Sequence, residues 1–205
     1  ARYKELQALL SDEEYEAARR STLNAHYTSL EVVGAIWKTL QKLGFKGGRI
    51  LEPSLGVGNF FGALPPEISA ATRLTGVELD SLTGRLAKQL YQDADVRVMG
   101  FEDAQLPDNF FDASISNVPF GDYPVVDRAY PKMVTKAIHN YFFAKALDKV
   151  RPGGVVAFIT SRYTLDAQDN AFRRWIADRA DLVDAVRLPD TAFKGNAGTE
   201  VVTDL

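Results

Sequence analysis

Four groups of residues in this 205-residue chain have the types and spacing to hold a ligand. The first is Glu52-Pro53-Ser54-Leu55-Gly56-Val57-Gly58-Asn59-Phe60, which closes one apolar run and opens a helical pattern. Its two glycines let the backbone pass close to a ligand, and the helix that follows turns free N–H groups toward an anion. A turn tightened only for packing would need the same glycines. Twenty residues past Gly58 stands Glu78, in Thr75-Gly76-Val77-Glu78-Leu79-Asp80, where a carboxylate can accept from both hydroxyls of a ribose. Asp80 fits better as the cap of the helix that follows. The third group is Met99-Gly100-Phe101-Glu102-Asp103, an aromatic beside two acids, suited to an adenine ring and its amino group, although Phe101 reads equally well as core. The fourth is Ser116-Asn117-Val118-Pro119-Phe120-Gly121-Asp122-Tyr123.

Each group lies at the end of a predicted strand. Short apolar runs at 49–52, 73–78, 95–99, 112–117, 154–160 and 182–187 alternate with helical patterns at 57–63, 81–91, 138–150 and 169–180, and a last run over 200–205 reads as a seventh strand. Such alternation predicts an α/β fold with a mostly parallel sheet covered on both faces, in which ligands sit beyond the carboxyl ends of the strands. Ahead of the first strand, Thr28-Ser29-Leu30-Glu31 has capping-box spacing and opens a helix with Leu30, Val33, Ile36, Trp37, Leu40 and Leu43 in one stripe, stopped by Gly44. Ser11-Asp12-Glu13-Glu14 has the same spacing and begins a short, charged surface helix ending near Arg20. The division expected is a helical extension over 1–23 and one domain over 24–205.

Composition narrows the chemistry. With no cysteine, disulfides, thiolate zinc sites and sulfur nucleophiles are excluded. The two histidines, His26 and His139, are too far apart for a local metal motif, so no metal site is expected. The densest apolar run, at 155–159, is strand-sized, and the amino end has no apolar leader, so neither a membrane span nor export is expected and the cytoplasm is the expected compartment. Without an initiator methionine and with an abrupt stop at Leu205, the chain reads as part of a longer polypeptide. The net charge of −3 argues against bulk electrostatic binding of nucleic acid, but it is unevenly spread: 93–122 holds seven acids against one base, and 128–162 seven bases against one acid.

Taken together, the strand ends and the Asn117-Val118-Pro119-Phe120 string resemble the S-adenosylmethionine-dependent amino-methyltransferases, whose signature is Asn/Asp-Pro-Pro-Tyr/Phe. The resemblance covers about 24–205 and is strongest to adenine-N6 DNA methyltransferases. More narrowly, "LNAHYTS", "LEPSLGVGNF", "SNVPFGDY" and "AGTEVVTDL" look like the methylase segment of large bacterial helicase-methylase proteins of mobile elements. It implies a Rossmann-like class I methyltransferase fold with a seven-stranded sheet and S-adenosylmethionine as cofactor. The cofactor would be held by Tyr27, Thr28, Glu52, Pro53, Ser54, Gly56, Gly58, Phe60, Glu78, Leu79, Phe101, Glu102 and Asn117, and the catalytic set would be Asn117, Pro119 and Phe120. Thr160-Ser161-Arg162 and the segment from Ala197 to Val201 would border the target pocket. Two residues depart from the pattern: Val118 replaces the first proline of the signature, and Leu55 stands where a small or polar residue is common, which would narrow the cofactor's methionine end.

The implied chemistry suits these residue types. An exocyclic amine is a weak nucleophile because its lone pair is conjugated with the ring, so the site must favour the rehybridised nitrogen by accepting its N–H bonds. The Asn117 side-chain oxygen and the carbonyl of Val118 or Pro119 can accept them, while Phe120 stacks on the target ring. Methylation at cytosine carbon 5 needs a thiol, which the chain lacks. An RNA base amine, a protein glutamine amide, and a non-catalytic cofactor-binding module of a larger DNA-processing protein stay open as alternatives. A dehydrogenase is disfavoured, since Gly56, Gly58 and Gly62 miss the dinucleotide spacing by one residue. The expected partner is DNA, bound mainly through domains outside this chain, with the fragment itself a monomer and its context restriction-modification.

Overall fold

The computed structural model describes residues 8–12, 14–15, 28–121, 123–189 and 203–205. Among them, six strands form one sheet in the order β3-β2-β1-β4-β5-β6. The strands are β1 (Gly48–Glu52), β2 (Thr72–Glu78), β3 (Asp95–Val98), β4 (Phe111–Asn117), β5 (Val150–Ser161) and β6 (Thr203–Asp204). All pairs are parallel except β5 with β6. The helices are α1 (Leu30–Lys42), α2 (Asn59–Gly62), α3 (Pro66–Ser69), α4 (Ser81–Leu90), α5 (Lys132–Thr135), α6 (Ile138–Lys149), α7 (Tyr163–Asp166) and α8 (Ala171–Ala177).

Alternation along the strands sends successive side chains to opposite faces, and each face has its own helix. Ile50, Ala113, Ile115 and Ile159 meet Val33, Ile36, Trp37 and Leu40 of α1, while Leu51, Val77 and Phe158 meet Tyr141, Phe142 and Ala144 of α6. Each of the large apolar side chains buried here contributes about 1.5–3 kcal/mol. The α1 stripe is therefore the core stripe the spacing predicts, except that Leu30 and Leu43 at its two ends stay exposed. Ser29, not Thr28, caps α1: its hydroxyl accepts from the Val32 N–H at 3.3 Å, and Thr28 is buried. At the amino end, the Ser11 N–H donates to the Glu14 carboxylate and the Glu14 N–H donates to the Ser11 hydroxyl, as the capping-box spacing predicts. The rest of that expected helix, through Arg20, lies outside the described residues.

The expected strand over 182–187 is corrected. Leu182 and Val183 are exposed, and only Arg187 bridges Asp204 in an antiparallel contact, backed by bonds between Val186 and Leu205 and from Leu188 to Thr203. The register explains it. With 187 opposite 204 and 186 opposite 205, the bonds to β6 cover 186–188 alone among the described residues. The nascent seventh strand thus starts at 186, on the outer side of β6. The expected helix over 57–63 shortens to α2, because Gly56 and Gly58 adopt φ of +56° and +82°, outside the helical region. That over 169–180 shortens to α8, and α3, α5 and α7 are single turns too short to leave a periodic signal.

Sheet order is what builds the site. The chain runs outward from β1 to β2 and β3, then returns to β4 on the other side of β1, so the crossovers diverge between β1 and β4. A crevice opens at such a switch point, beyond the carboxyl ends of the two strands. Glu52 and Asn117 end those strands.

Candidate active site

The turn 52–58 is fastened from three directions. Leu55 N–H donates to the Val77 carbonyl at 2.9 Å, Gly56 N–H to Glu78 Oε2 at 2.7 Å, and the Ser116 hydroxyl on β4 to the Ser54 carbonyl at 3.3 Å. Gly58 closes it: the Tyr91 hydroxyl donates to its carbonyl at 2.7 Å, and a Cβ there would lie 2.3 Å from the Tyr91 ring. Gly56 differs, since nothing lies within 4 Å of where its Cβ would be. One glycine therefore serves packing, and the other keeps open space in front of the backbone. Tyr91, at the end of α4 and edge-on to Phe61 at 5.5 Å, is a site residue that the spacing of the glycines does not reveal.

Glu78 lies at the end of β2, with its second oxygen accepting from the Asp80 N–H at 2.8 Å, while Asp80 caps α4 by accepting from Thr83 N–H. Burial raises the Glu78 carboxyl above its ordinary pKa, the Asp80 charge adding to this, against the lowering effect of the N–H bonds from Asp80 and Gly56. Glu52 is fully buried and lifted further, by burial first and then by the Glu78 charge, and its Oε2 finds no hydrogen-bond partner among the described residues. An acid with an orphaned oxygen at the carboxyl end of β1 suits a cationic ligand, whose approach would favour its ionised form.

Glu52 therefore weakens the ligand-free fold at neutral pH. A carboxyl whose folded pKa exceeds its unfolded value binds its proton more tightly when folded. Its contribution is complete below about 4.5, the ordinary value, and is lost as pH rises through the folded pKa. Glu52→Gln is expected to melt above the wild type at pH 8 and level with it near pH 4. An equal shift at both pH values in calorimetric melts would contradict this assignment.

The structure brings most of the expected site residues to this end of the sheet, though not always by their side chains. Leu79 is 75% exposed beside Glu78, and Glu102 is exposed. The Phe101 ring is buried in the α6-side core, edge-on to Tyr141 at 6.3 Å, and the Phe60 ring is buried against α1, its carbonyl accepting from the Trp37 indole. Pro53 is buried and Ser54 half-buried. Thr28 reaches the site through its carbonyl, 3.5 Å from the Asn59 amide nitrogen. Tyr27 and the 197–201 segment lie outside the described residues.

Asn117 and Pro119 are half-buried, and Phe120 leans on the α1-side core. The two departures from the signature prove to be core residues. Val118 is 1% exposed among the α6-side residues, and its N–H donates to the Ile159 carbonyl at 3.1 Å, a bond proline cannot make. Leu55, expected to narrow the cofactor's space, instead packs with Phe61, Ala87 and Val96, close above Gly76. It points into the core because the Leu55–Val77 backbone bond lays the turn across β2.

The basic stretch is also rearranged. Lys145 is buried, and Lys149 and Arg151 pair with Asp108 and Asp112, which leaves Arg128, Lys132, Lys136 and Arg162 exposed. Arg162 lies over the Tyr163 ring at 4.9 Å, just past the end of β5 that adjoins Asn117. A cleft of about 430 Å³, lined in part by Arg49, Arg73, Arg97 and Phe110, lies at the amino ends of the strands, away from this crevice. No group of three metal-ligating side chains occurs among the described residues, and no helix there is long and apolar enough to cross a membrane.

A protein assigned to the class I S-adenosylmethionine-dependent methyltransferases, from Listeria monocytogenes, superimposes with a TM-score of 0.71 at 21% identity, over 89% of this chain and 61% of that one. A type I restriction-modification methyltransferase subunit from Streptococcus thermophilus does so with a TM-score of 0.73 at 15% identity, over 87% of this chain and 43% of that one. The fold is that of the class I methyltransferases. The strand order agrees with this Rossmann-like architecture, with six strands among the described residues where seven were expected. RNA methyltransferases also share the methyltransferase fold. In sequence, the chain is 28% identical over 190 residues to the defense against restriction protein B of Escherichia phage P1, covering 90% of this chain and 8% of that protein. The chain thus spans less than a tenth of that relative's length. No protein-family profile matches it.

Proposed function

We propose that this chain binds S-adenosylmethionine at the β1/β4 crevice and methylates the exocyclic N6 amine of adenine in DNA. The observation that carries the reading is the juxtaposition at the switch point. Residues 117–120 leave β4 directly beside turn 52–58, and the Ser116 hydroxyl ties the two together. The cofactor's fit rests on the open face of Gly56, the orphaned Glu52 oxygen and the exposed Leu79 beside Glu78. Bound there, the cofactor supplies an electrophilic methyl group.

The chain's own residues do the rest. Glu78 accepts the ribose hydroxyls, exchanging its bond to the Gly56 N–H, and Glu52 offers a carboxylate to the cationic end. Phe120 stacks on the target base, a contact worth about 1–3 kcal/mol. The Asn117 oxygen and the carbonyl of Val118 or Pro119 accept from the target amine, raising the lone pair out of conjugation. Holding the amine in line with the methyl group accounts for about 7–11 kcal/mol of the barrier in well-oriented systems.

The organisation proposed is a helical extension over 1–23 and a methyltransferase domain over 24–205. A much longer relative, named for defence against restriction, favours a place within a larger DNA-processing protein whose other parts hold the duplex. Extracting an adenine from duplex DNA costs a few kcal/mol, which phosphate and groove contacts must offset. With net charge −3 and four exposed bases in the 128–162 stretch, the chain is expected to prefer single-stranded or mismatched DNA, with affinity fading toward physiological salt.

The test is transfer of a tritiated methyl group to DNA, RNA and protein pools, with mass spectrometry of the product nucleosides. N6-methyladenine in DNA is the expected product. Label confined to RNA or to protein would reassign the target to a base amine or glutamine amide there. A cooperatively melting protein that gives neither label nor heat with S-adenosylhomocysteine would overturn the reading.

A further inference from the structure

Helix α6 carries two polar residues one turn apart on its buried face, and each reaches a different side of the crevice. Lys145, 6% exposed, donates from Nζ to the Glu102 carbonyl at 2.9 Å, and the same ammonium lies 5.1 Å from the Phe101 ring centre and 5.9 Å from that of Tyr141. Tyr141, fully buried, donates its hydroxyl to Asp127 Oδ2 at 2.7 Å. Asp127 lies in the segment that follows 117–120, and its other oxygen accepts from the Ala129 N–H at 2.9 Å. One unbroken line of contacts thus runs from turn 100–103, through Lys145 and Tyr141, to segment 123–131.

We propose that Tyr141 and Lys145 are positioning residues that couple the two sides of the crevice, so that filling the cofactor side at turn 100–103 orders the target-side segment 123–131. The inference rests on the proposed function, together with the place beside the cofactor's adenine that the sequence resemblance implies for Phe101 and Glu102.

Packing alone does not account for this pair. A buried ammonium is costly to desolvate, and methionine with phenylalanine would fill the same volume without that cost. What the polar atoms add is directional bonds to two loops. Segment 123–131 is held at a few points: Val126 is 89% and Tyr123 52% exposed, whereas Val125 and Tyr130 pack on the α6-side core, Tyr130 edge-on to the Tyr141 ring at 5.4 Å. Its attachments include the Tyr141–Asp127 bond, a bond from Tyr130 to Asp148 at 2.6 Å and one from Val125 N–H to the Thr135 carbonyl at 2.9 Å. A partly exposed segment opens at lower free energy than the core, so one bond can shift its population. Partial burial pushes the Asp127 carboxyl up, but the Ala129 N–H, the Tyr141 hydroxyl and the nearby Lys145 and Lys149 charges hold it below the usual range, so the acceptor stays charged at neutral pH.

Hydrogen exchange of the whole chain with and without S-adenosylhomocysteine tests the coupling. In the wild type the ligand is expected to slow exchange at 100–103 and, by about tenfold, at 123–131. In Tyr141→Phe, which deletes only the hydroxyl, slowing at 100–103 is retained and that at 123–131 is lost. Asp127→Ala removes the same bond from the loop side and is expected to behave alike, should the buried variant fold poorly. Lys145→Met breaks the other link, and is expected to weaken the ligand several-fold as well as to abolish the response at 123–131. Slowing at 123–131 that persists in Tyr141→Phe or Asp127→Ala, or that is missing in the wild type while 100–103 responds, would overturn the coupling alone. No response at 100–103 in the wild type would overturn the cofactor reading together with it.

Discussion

Asn117→Ala is expected to lower methyl transfer by 10²–10³-fold or more while S-adenosylhomocysteine binds nearly as tightly as to the wild type. The magnitude is that of removing one preorganised hydrogen-bonding group aimed at charge developing in the transition state. The selectivity follows from position. Asn117 is the last residue of β4, one step past the serine that braces the cofactor turn, and its side-chain oxygen is the group assigned to the target amine. Fold should survive, since Asn117 is half-buried and the β4–β5 ladder is made by backbone groups. Single-turnover transfer beside calorimetric titration separates the two quantities. Wild-type rates in the alanine variant would dismiss the assigned chemistry, and a parallel loss of ligand affinity would give Asn117 the cofactor-holding role that the sequence resemblance also implies. Phe120→Ala, by contrast, should lower turnover and target affinity together, through lost stacking.

Glu78→Ala is expected to weaken S-adenosylhomocysteine by about one to two decades, since hydrogen bonds to a charged group contribute roughly 1.5–3 kcal/mol. The structure adds a second reason, because the same carboxylate braces the Gly56 and Asp80 N–H groups and so shapes the cofactor turn when no ligand is present. A pH dependence accompanies the loss. Burial first, and then the Asp80 charge, raise the Glu78 carboxyl above its ordinary value. Ribose hydroxyls donate to the ionised form, so wild-type affinity should fall as pH drops through that raised value, and Glu78→Gln should flatten the fall. Titrations between pH 5 and 8 read both effects. An alanine variant that binds as the wild type does, with the same pH profile, would remove Glu78 from the site.

Residue order alone was enough for the central strands, the longer helices and some of their local contacts. Apolar alternation placed β1 through β5 within a few residues of their ends, and Asp80 was legible as a cap because a side chain that accepts from an N–H three residues on is a local event. The turn 56–58 was legible because positive φ strongly favours glycine. What lay beyond the sequence depends on neighbours far along the chain. Whether Leu55 faces a ligand or the core is decided by the Val77 carbonyl that its N–H finds on β2, and whether Val118 can replace a proline by the Ile159 carbonyl on β5. The 182–187 run reads as a strand by composition, and among the described residues its bonds to β6 begin only at 186, because register is set by the partner strand and leaves no local pattern. Lys145 reads as one more base in a charged stretch, and only the packing of α6 on the sheet turns it inward, to the Glu102 carbonyl and the Tyr141 ring. Periodicity reports which side of an element is apolar, whereas the order of strands and the element covering each face determine what every side chain meets, and these arise from pairings between residues tens of positions apart.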